Sequence, residues 1–218
     1  MAELLERICI DTTRALSASG AGVSVITGGG VHGMAVSSDA DAARIEELQF
    51  TFGEGPCIDA FATGRPVLVS DLAALATNRW PVYTPAVHHL GVRAVFAFPL
   101  QVGAARLGVL DVFRDRPGPL SRAELGQAFL LAEQAVLALL DGQERAGTRP
   151  QATPEWSEAF ERRAELFQAQ GMVMVMLGIS LADALMRIRA HAFATNRPLR
   201  EVAEDIVARR LRFDADDT

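Results

Sequence analysis

The sequence predicts an α+β fold: an antiparallel sheet flanked by helices, followed by a three-helix bundle. Three observations predict it. Residues 93–102 (RAVFAFPLQV) and 106–114 (RLGVLDVFR) alternate apolar and other side chains around Gly103, the pattern of a central antiparallel hairpin. Residues 3–16 and 121–141 carry apolar residues at helical spacing. Residues 155–213 hold three further helical stripes, separated at Gly178-Ile179-Ser180 and at Asn196-Arg197-Pro198.

The elements follow in chain order. Residues 3–16 form an amphipathic helix with Leu4, Leu5, Ile8, Thr12 and Leu16 on one side. Residues 21–27 and 31–37 are β-branched strands joined by Gly28-Gly29-Gly30, a hairpin turn rather than a nucleotide-binding loop, because no strand–GxGxxG–helix context surrounds it. Asp39 caps a helix over residues 42–48. In residues 49–64 (QFTFGEGPCIDAFATG), Gly53 and Gly55 make a tight loop and Pro56 opens a short helix ending at Gly64. Residues 66–70 are a strand, and Pro81 and Pro85 break residues 71–90 into short pieces. Ser121 and Glu124 are spaced as a capping box, and the helix they open is apolar on more than one face.

A polar linker over residues 142–154 (GQERAGTRPQATP) separates this first domain, residues 1–141, from a second over 155–213 and an acidic tail at 214–218. In the second domain the predicted stripes are Trp156, Phe160, Ala164, Phe167, Gly171 and Met174; then Leu181, Leu185, Ile188 and Ala192; then Leu199, Val202, Ala203, Ile206 and Val207. Gly178 ends the first helix, Ser180 with Asp183 caps the second, and Pro198 suits the first turn of the third. Three helices of this size bury a modest share of their surface, so this domain is expected to lean on a neighbour or a second chain.

Composition narrows the class. Half of the 218 residues are apolar, which supplies a core and excludes global disorder. No apolar run reaches about 18 residues, and the N-terminus lacks a basic n-region and apolar h-region, so a cytoplasmic protein without a membrane partner is expected. Cys9 and Cys57 have no CxxC spacing and are read as small buried hydrophobes, with no disulfide or zinc framework. All 21 basic residues are arginine on a chain of net charge −6. Residues 155–213 hold nine arginines against eight acidic residues, a locally neutral-to-basic segment that permits a nucleic-acid partner.

The glycines of GEGPCIDAFATGRPVLVSDL, followed by RAVFAFPLQVGAARLGVLDVFR, resemble a GAF domain over about residues 3–141. The C-terminal stretch resembles an ANTAR domain. The matching residues are Ala169-x-Gly171, Leu177-Gly178-Ile179-Ser180, Ala184-Leu185, Asn196-Arg197-x-Leu199 and Val202-Ala203-x-x-Ile206-Val207. Together they are similar to the GAF–ANTAR transcription antitermination regulators of actinobacteria. That resemblance implies a signal-dependent regulator, not an enzyme, which binds hairpins in nascent RNA. It also implies a homodimer and a sensory domain responding to a small-molecule or protein signal. Where the family often has Ala-Lys-Gly, this chain has Ala169-Gln170-Gly171, a departure that removes a charge.

RNA readers combine stacking, base-edge hydrogen bonds and phosphate contacts. The candidates are Gln170, Gly171, Arg187, Arg189, His191, Arg197 and Arg200, each of which also reads as a solvated or packed helix position. Arg209, Arg210 and Arg212 read as a basic helix end favoured by the macrodipole. Pocket lining in the first domain is assigned to Trp80, Tyr83, Arg93, Phe96, Phe98 and Phe113, against core packing as the alternative. The asparagine–lysine–phenylalanine–aspartate–glutamate pattern of cyclic-nucleotide GAF domains is missing, and no cofactor is assigned. Cys57 near a helix start with His32, His88 or His89 does not specify a catalytic site, His88-His89 do not specify a metal site, and Asp59 and Asp111 read as structural. The competing reading is a dimeric protein-interaction adaptor with little RNA binding; a weaker one is DNA binding through the last two helices.

Overall fold

The computed structural model describes residues 1–26, 32–74, 79–148, 154–195 and 197–213, with side chains outside 26, 32–35, 143–148 and 154–164. The expectations for the 28–30 turn, Asn196 and the tail at 214–218, and for the side chains of His32, Trp156, Phe160 and Ala164, lie outside these residues. The elements are α1 (Ala2–Ala15), β1 (Gly20–Ile26), β2 (His32–Ser37), α2 (Ala40–Phe52), α3 (Pro56–Thr63), β3 (Val67–Val69), α4 (Tyr83–His89), β4 (Ala94–Val102), β5 (Ala105–Arg114), α5 (Arg122–Thr148), α6 (Pro154–Leu177), α7 (Leu181–Ala194) and α8 (Leu199–Val207). They form two compact units, the first built on α1–α5 with the sheet and the second on α6–α8.

In the first unit all neighbouring strands are antiparallel, in the order β2-β1-β5-β4-β3. Period-2 alternation divides the sheet into two apolar faces. On β4 and β5, Phe96, Phe98, Leu110 and Val112 face one core, shared with Leu5, Ile8 and Leu16 of the N-terminal helix region and Ala128, Leu131 and Ala135 of α5. Val95, Ala97, Val109 and Phe113 face the other, with Ile45 of α2, Cys57 and Ala60 of α3, and Trp80, Tyr83 and Val87 of and before α4.

The local signals act as expected at several helix ends. Asp39 accepts the Ala42 N–H at 2.8 Å. Gly53 (φ +69°) and Gly64 (φ +66°) close α2 and α3 in the left-handed conformation that costs other residues a Cβ clash. The Ser121 N–H donates to Glu124 Oε2 at 2.7 Å, and the Glu124 N–H donates to Ser121 Oγ at 3.2 Å, completing the capping box.

Three expectations change. Leu4 is 47% exposed and stands off the core, because Leu5 occupies the inward position. Helix α5 continues to Thr148, so the residues read as a linker begin as helix; Gly142 sits against the Met1 side chain. Its segment Arg122–Gly142 also has the length and mean hydropathy (1.4) of a membrane-crossing helix, contrary to the expectation of no such run. That apolarity is used inside the unit: Ala128, Leu131, Ala132, Ala135, Ala138 and Leu139 are buried against the sheet and α1.

Candidate functional site

The second unit is closed by a core of Leu166, Ala169 and Val173 from α6, Ala184, Leu185, Ile188 and Ala192 from α7, and Leu199, Val202, Ala203 and Ile206 from α8. Gly178 (φ +63°) ends α6, and the Asp183 N–H donates to Ser180 Oγ at 3.1 Å to start α7. The inward face of α6 is one position off the predicted stripe: Phe167, Gly171 and Met174 are half-buried. The run GMVMVML is apolar on every side, so periodicity there cannot choose a face. Leu181 is 37% exposed, and Ala184 takes the buried place beside Leu185.

Most of the predicted RNA contacts are buried or paired within the unit. Gln170 is the clearest correction: it is 1% exposed, and its Nε2 donates to the Leu181 carbonyl at 2.7 Å, tying α6 to the start of α7. It therefore holds a turn, with its side chain turned away from solvent. Gln170→Ala should lower stability by about 1–3 kcal/mol, read by denaturant unfolding, while the folded fraction keeps its RNA affinity. Arg187 and Arg189 are half-buried and engaged within the protein. Burial lowers the Arg189 pKa to about 10. Arg197 donates to Asp205 at 2.7 Å and lies 3.7 Å from Glu201, while Arg210 meets the other Asp205 oxygen at 2.7 Å. The two guanidinium hydrogen bonds hold the Asp205 carboxyl below its ordinary value. Arg200 is exposed and pairs with Glu204 at 2.8 Å. The half-buried His191 ring stands edge-on to Phe213 at 5.4 Å.

What the fold does gather is a groove of about 650 Å³ between the C-terminal half of α6 and the chain following α8. Its lining includes Gly171, Met172, Val175, Met176, Ile206, Leu211 and Phe213, with Gln168, Arg209 and Arg212. Gly171 faces open space, since a Cβ there would meet nothing within 4 Å, so it does not serve close helix packing. Arg209 adopts φ +59°, rare for a side-chain-bearing residue, and turns the chain so that the Arg210 and Leu211 N–H groups both donate to the Asp205 carbonyl. The turn carries Leu211, Arg212 and Phe213 to the groove. The RRLR run was visible in the sequence; the reversal that places two of its arginines opposite Gly171 was not.

In the first unit the six predicted pocket residues fall on both sides of the sheet. Trp80, Tyr83 and Phe113 belong to one core, Phe96 and Phe98 to the other, and all five are at most 2% exposed. Arg93 donates to the His88 and Val92 carbonyls at 2.9 and 3.0 Å. They do not line a common pocket, because strand alternation sends neighbouring aromatics to opposite faces. Of the six, only Phe113 borders the cavity of about 210 Å³ between α2 and the chain after α4. Asp59 pairs with Arg79 at 3.2 Å, a structural role as expected. Cys57 is 1% exposed and burial pushes its thiol well above the ordinary value, the opposite of an activated nucleophile.

Comparison with known proteins agrees with this architecture. The GAF domain family matches residues 1–140, and the ANTAR domain family matches residues 155–207. A domain of a putative two-component sensor histidine kinase from Sinorhizobium meliloti 1021 is similar at 17% identity and a TM-score of 0.54, over 68% of this chain and 97% of that one. The GAF3 domain of Slr1393 from Synechocystis sp. PCC6803, in its photoproduct state, is similar at 16% identity and a TM-score of 0.54, over 68% and 99%. The GAF domain of a phosphoenolpyruvate-protein phosphotransferase from Coxiella burnetii follows at 17% identity and a TM-score of 0.50, over 65% and 86%. No curated protein sequence is significantly similar to this chain. GAF domains sense signals and ANTAR domains are RNA-binding antitermination modules. With its five-stranded antiparallel sheet covered by helices and a separate helical unit after it, the chain belongs to the GAF family and has the architecture of a GAF–ANTAR transcription antitermination regulator.

Proposed function

We propose that this chain is a signal-dependent regulator that binds hairpins in nascent RNA through its second unit, and that it does so as a homodimer. The groove beside Gly171 carries the reading. It combines an apolar floor, on which an unpaired base could rest, with Arg209 and Arg212 for stacking and phosphate contact. Exposed Arg200, on the adjoining helix, adds a further cation. The missing lysine favours the adaptor reading only slightly, and the inward position of Gln170, where the side chain serves a turn, weakens that support. Dimerisation is supported by Leu4 and Ile10 on α1 and Phe129, Leu130 and Leu137 on α5, exposed apolar side chains on the two helices that cover one side of the sheet. Two output units in one particle would engage two hairpins with the gain of effective concentration.

The test is a gel-shift titration of the full chain on a two-hairpin RNA at several salt concentrations. Arg209→Ala with Arg212→Ala should weaken binding by about ten-fold or more and reduce the salt slope by about 2, with circular dichroism unchanged. A folded variant with unaltered affinity would overturn the groove assignment. A wild-type slope near zero would favour the adaptor, and equal competition by duplex DNA would favour DNA binding. The pair Arg189→Ala with Arg197→Ala is a poorer probe: Arg189 is partly desolvated and Arg197 is tied to Asp205, so their loss also disturbs the bundle.

A further inference from the structure

The second face of the sheet holds a polar cluster inside an otherwise apolar core. Asp111 lies at the centre of β5, paired with Gly22 on β1 and Ala97 on β4. Its two neighbours in that row are the smallest side chains available, which leaves a depression above the middle of the sheet. Glu46 of α2 enters it: a Cβ on residue 22 would come within 2.8 Å of Glu46 Oε1. Ser24 Oγ donates to Glu46 Oε2 at 2.7 Å. From the other side α3 delivers Cys57, whose N–H donates to Gln49 Oε1 at 2.8 Å. Gly55 permits that approach, since a Cβ there would lie 2.6 Å from the same Gln49 oxygen. One carboxylate oxygen each from Glu46 and Asp111, and the Cys57 Sγ, lie within 4.8 Å of one another. All three residues are at most 3% exposed.

This arrangement is incomplete as a set of protein hydrogen bonds. Among the described residues neither Asp111 oxygen has a hydrogen-bond partner of ordinary length and angle, and the same holds for the Gln49 Nε2 and the Tyr83 hydroxyl; burial and then Glu46 raise the Asp111 pKa, while the Cys57 thiol and the Gln49 amide lie near enough to lower it. Gln49 and Tyr83 are 1% and 0% exposed. Burial raises the Tyr83 pKa, and Asp111, Glu46 and Cys57 lie close enough for their negative charge to raise it further. Two buried carboxyls and a thiol placed together call for a proton or a positive charge to neutralise them.

We propose that Glu46, Cys57 and Asp111 bind one divalent transition-metal ion, of which Zn²⁺ is the representative probe. A thiolate with two carboxylates suits a borderline ion such as Zn²⁺ and disfavours Mg²⁺ or Ca²⁺, which take oxygen ligands alone. Binding releases the Cys57 thiol proton, and any proton held between the carboxyls, to solvent as sulfur and oxygen bond the ion. Three protein ligands leave a fourth position, which the unpartnered Tyr83 hydroxyl or a water can take. The N-terminal turn of α3, where Cys57 sits, offsets part of the thiolate charge. Burial places loading during folding or during an opening of the α2–α3 cover. The site stands on the first unit alone and does not depend on the RNA reading.

The test uses the untagged full-length chain under reducing conditions, unfolded with chelator and refolded with Zn²⁺ or Co²⁺. One ion per chain is expected, measured by elemental analysis and by competition with a chromophoric chelator. The Co²⁺ form should show thiolate-to-metal charge-transfer absorption in the near ultraviolet. Cys57→Ser should abolish that band and Asp111→Asn should weaken Zn²⁺ binding by about ten-fold or more, whereas Cys9→Ser, at the buried thiol of the opposite core, should change neither. Refolded wild-type protein that retains no ion, or whose Co²⁺ form lacks the band, overturns the proposal whether or not the variants fold. So does binding that survives Cys57→Ser and Asp111→Asn unchanged.

Discussion

Replacing Gly108 with alanine should cost about 3 kcal/mol or more and lower the melting temperature by about 6–12 °C, at 2–4 °C per kcal/mol for a unit of this size. A Cβ at position 108 would stand 2.1 Å from the Ser24 carbonyl oxygen and 3.1 Å from its carbon, with the Val25 Cα at 3.2 Å. All three atoms are backbone, so no rotamer change relieves the clash. Strand β1 cannot move aside either: β2 holds its other edge and Ala21 and Val23 are packed in the core. The substitution must therefore open the β1–β5 ladder. Gly126→Ala is the matched control, because its added Cβ meets nothing within 4 Å on an exposed helix face. It should gain up to about 1 kcal/mol from helix propensity. Differential scanning calorimetry reads both, and a Gly108→Ala protein as stable as wild type would refute the close-approach argument.

The second large effect is expected at Glu124. Its carboxylate completes the capping box and also receives Arg114, whose side chain is only 6% exposed. Arg114 donates as well to the Leu16 carbonyl and lies 5.5 Å from the Phe96 ring centroid, joining the end of β5 to the chain after α1 and the start of α5. Glu124→Ala removes the cap and leaves a nearly buried guanidinium with one partner fewer, at a cost of about 2–4 kcal/mol. The pH dependence has a definite sign. The Ser121 N–H and hydroxyl and then Arg114 hold the Glu124 pKa below its ordinary 4.5. The contribution is thus complete above that value and is lost as pH falls through the depressed folded pKa. The stability gap between wild type and Glu124→Ala should be constant near neutrality and narrow below about pH 4.5, as followed by urea denaturation. A gap that stays constant into strong acid would contradict it.

Much of the fold was legible because its signals are local. Asp39, Gly53, Gly64, Gly178 and Ser180 each mark a helix end through their own backbone or side-chain chemistry, and the structure uses them so. Alternation revealed the β4–β5 hairpin. It did not reveal which aromatics share a core: Phe96 and Phe113 look equivalent on paper, yet each faces a different layer. The helical site was less legible. Gln170 reads as a polar residue beside a glycine, and only the docking of α7 shows that its amide closes a turn. Arg197 reads as a free turn cation until α8 brings Asp205 to it. In both cases the partner lies 8 or 11 residues away, beyond the reach of an i,i+4 pattern.

The amino-acid sequence by itself determined the α+β class, the order of elements, the helix ends and the family resemblance of both parts, because these depend on periodicity and on residues a few positions apart. Only the tertiary structure decided which polar residues are buried, which arginines are neutralised and which reach a groove. Asp111 shows the difference best. As one carboxylate in an alternating strand it reads as structural, but pairing β5 between Gly22 and Ala97, under α2 and α3, sets it beside Glu46 and Cys57. Those residues are separated by up to 65 positions in the chain, from Glu46 to Asp111. Their juxtaposition comes from strand register and helix docking, which the sequence specifies only through the whole fold.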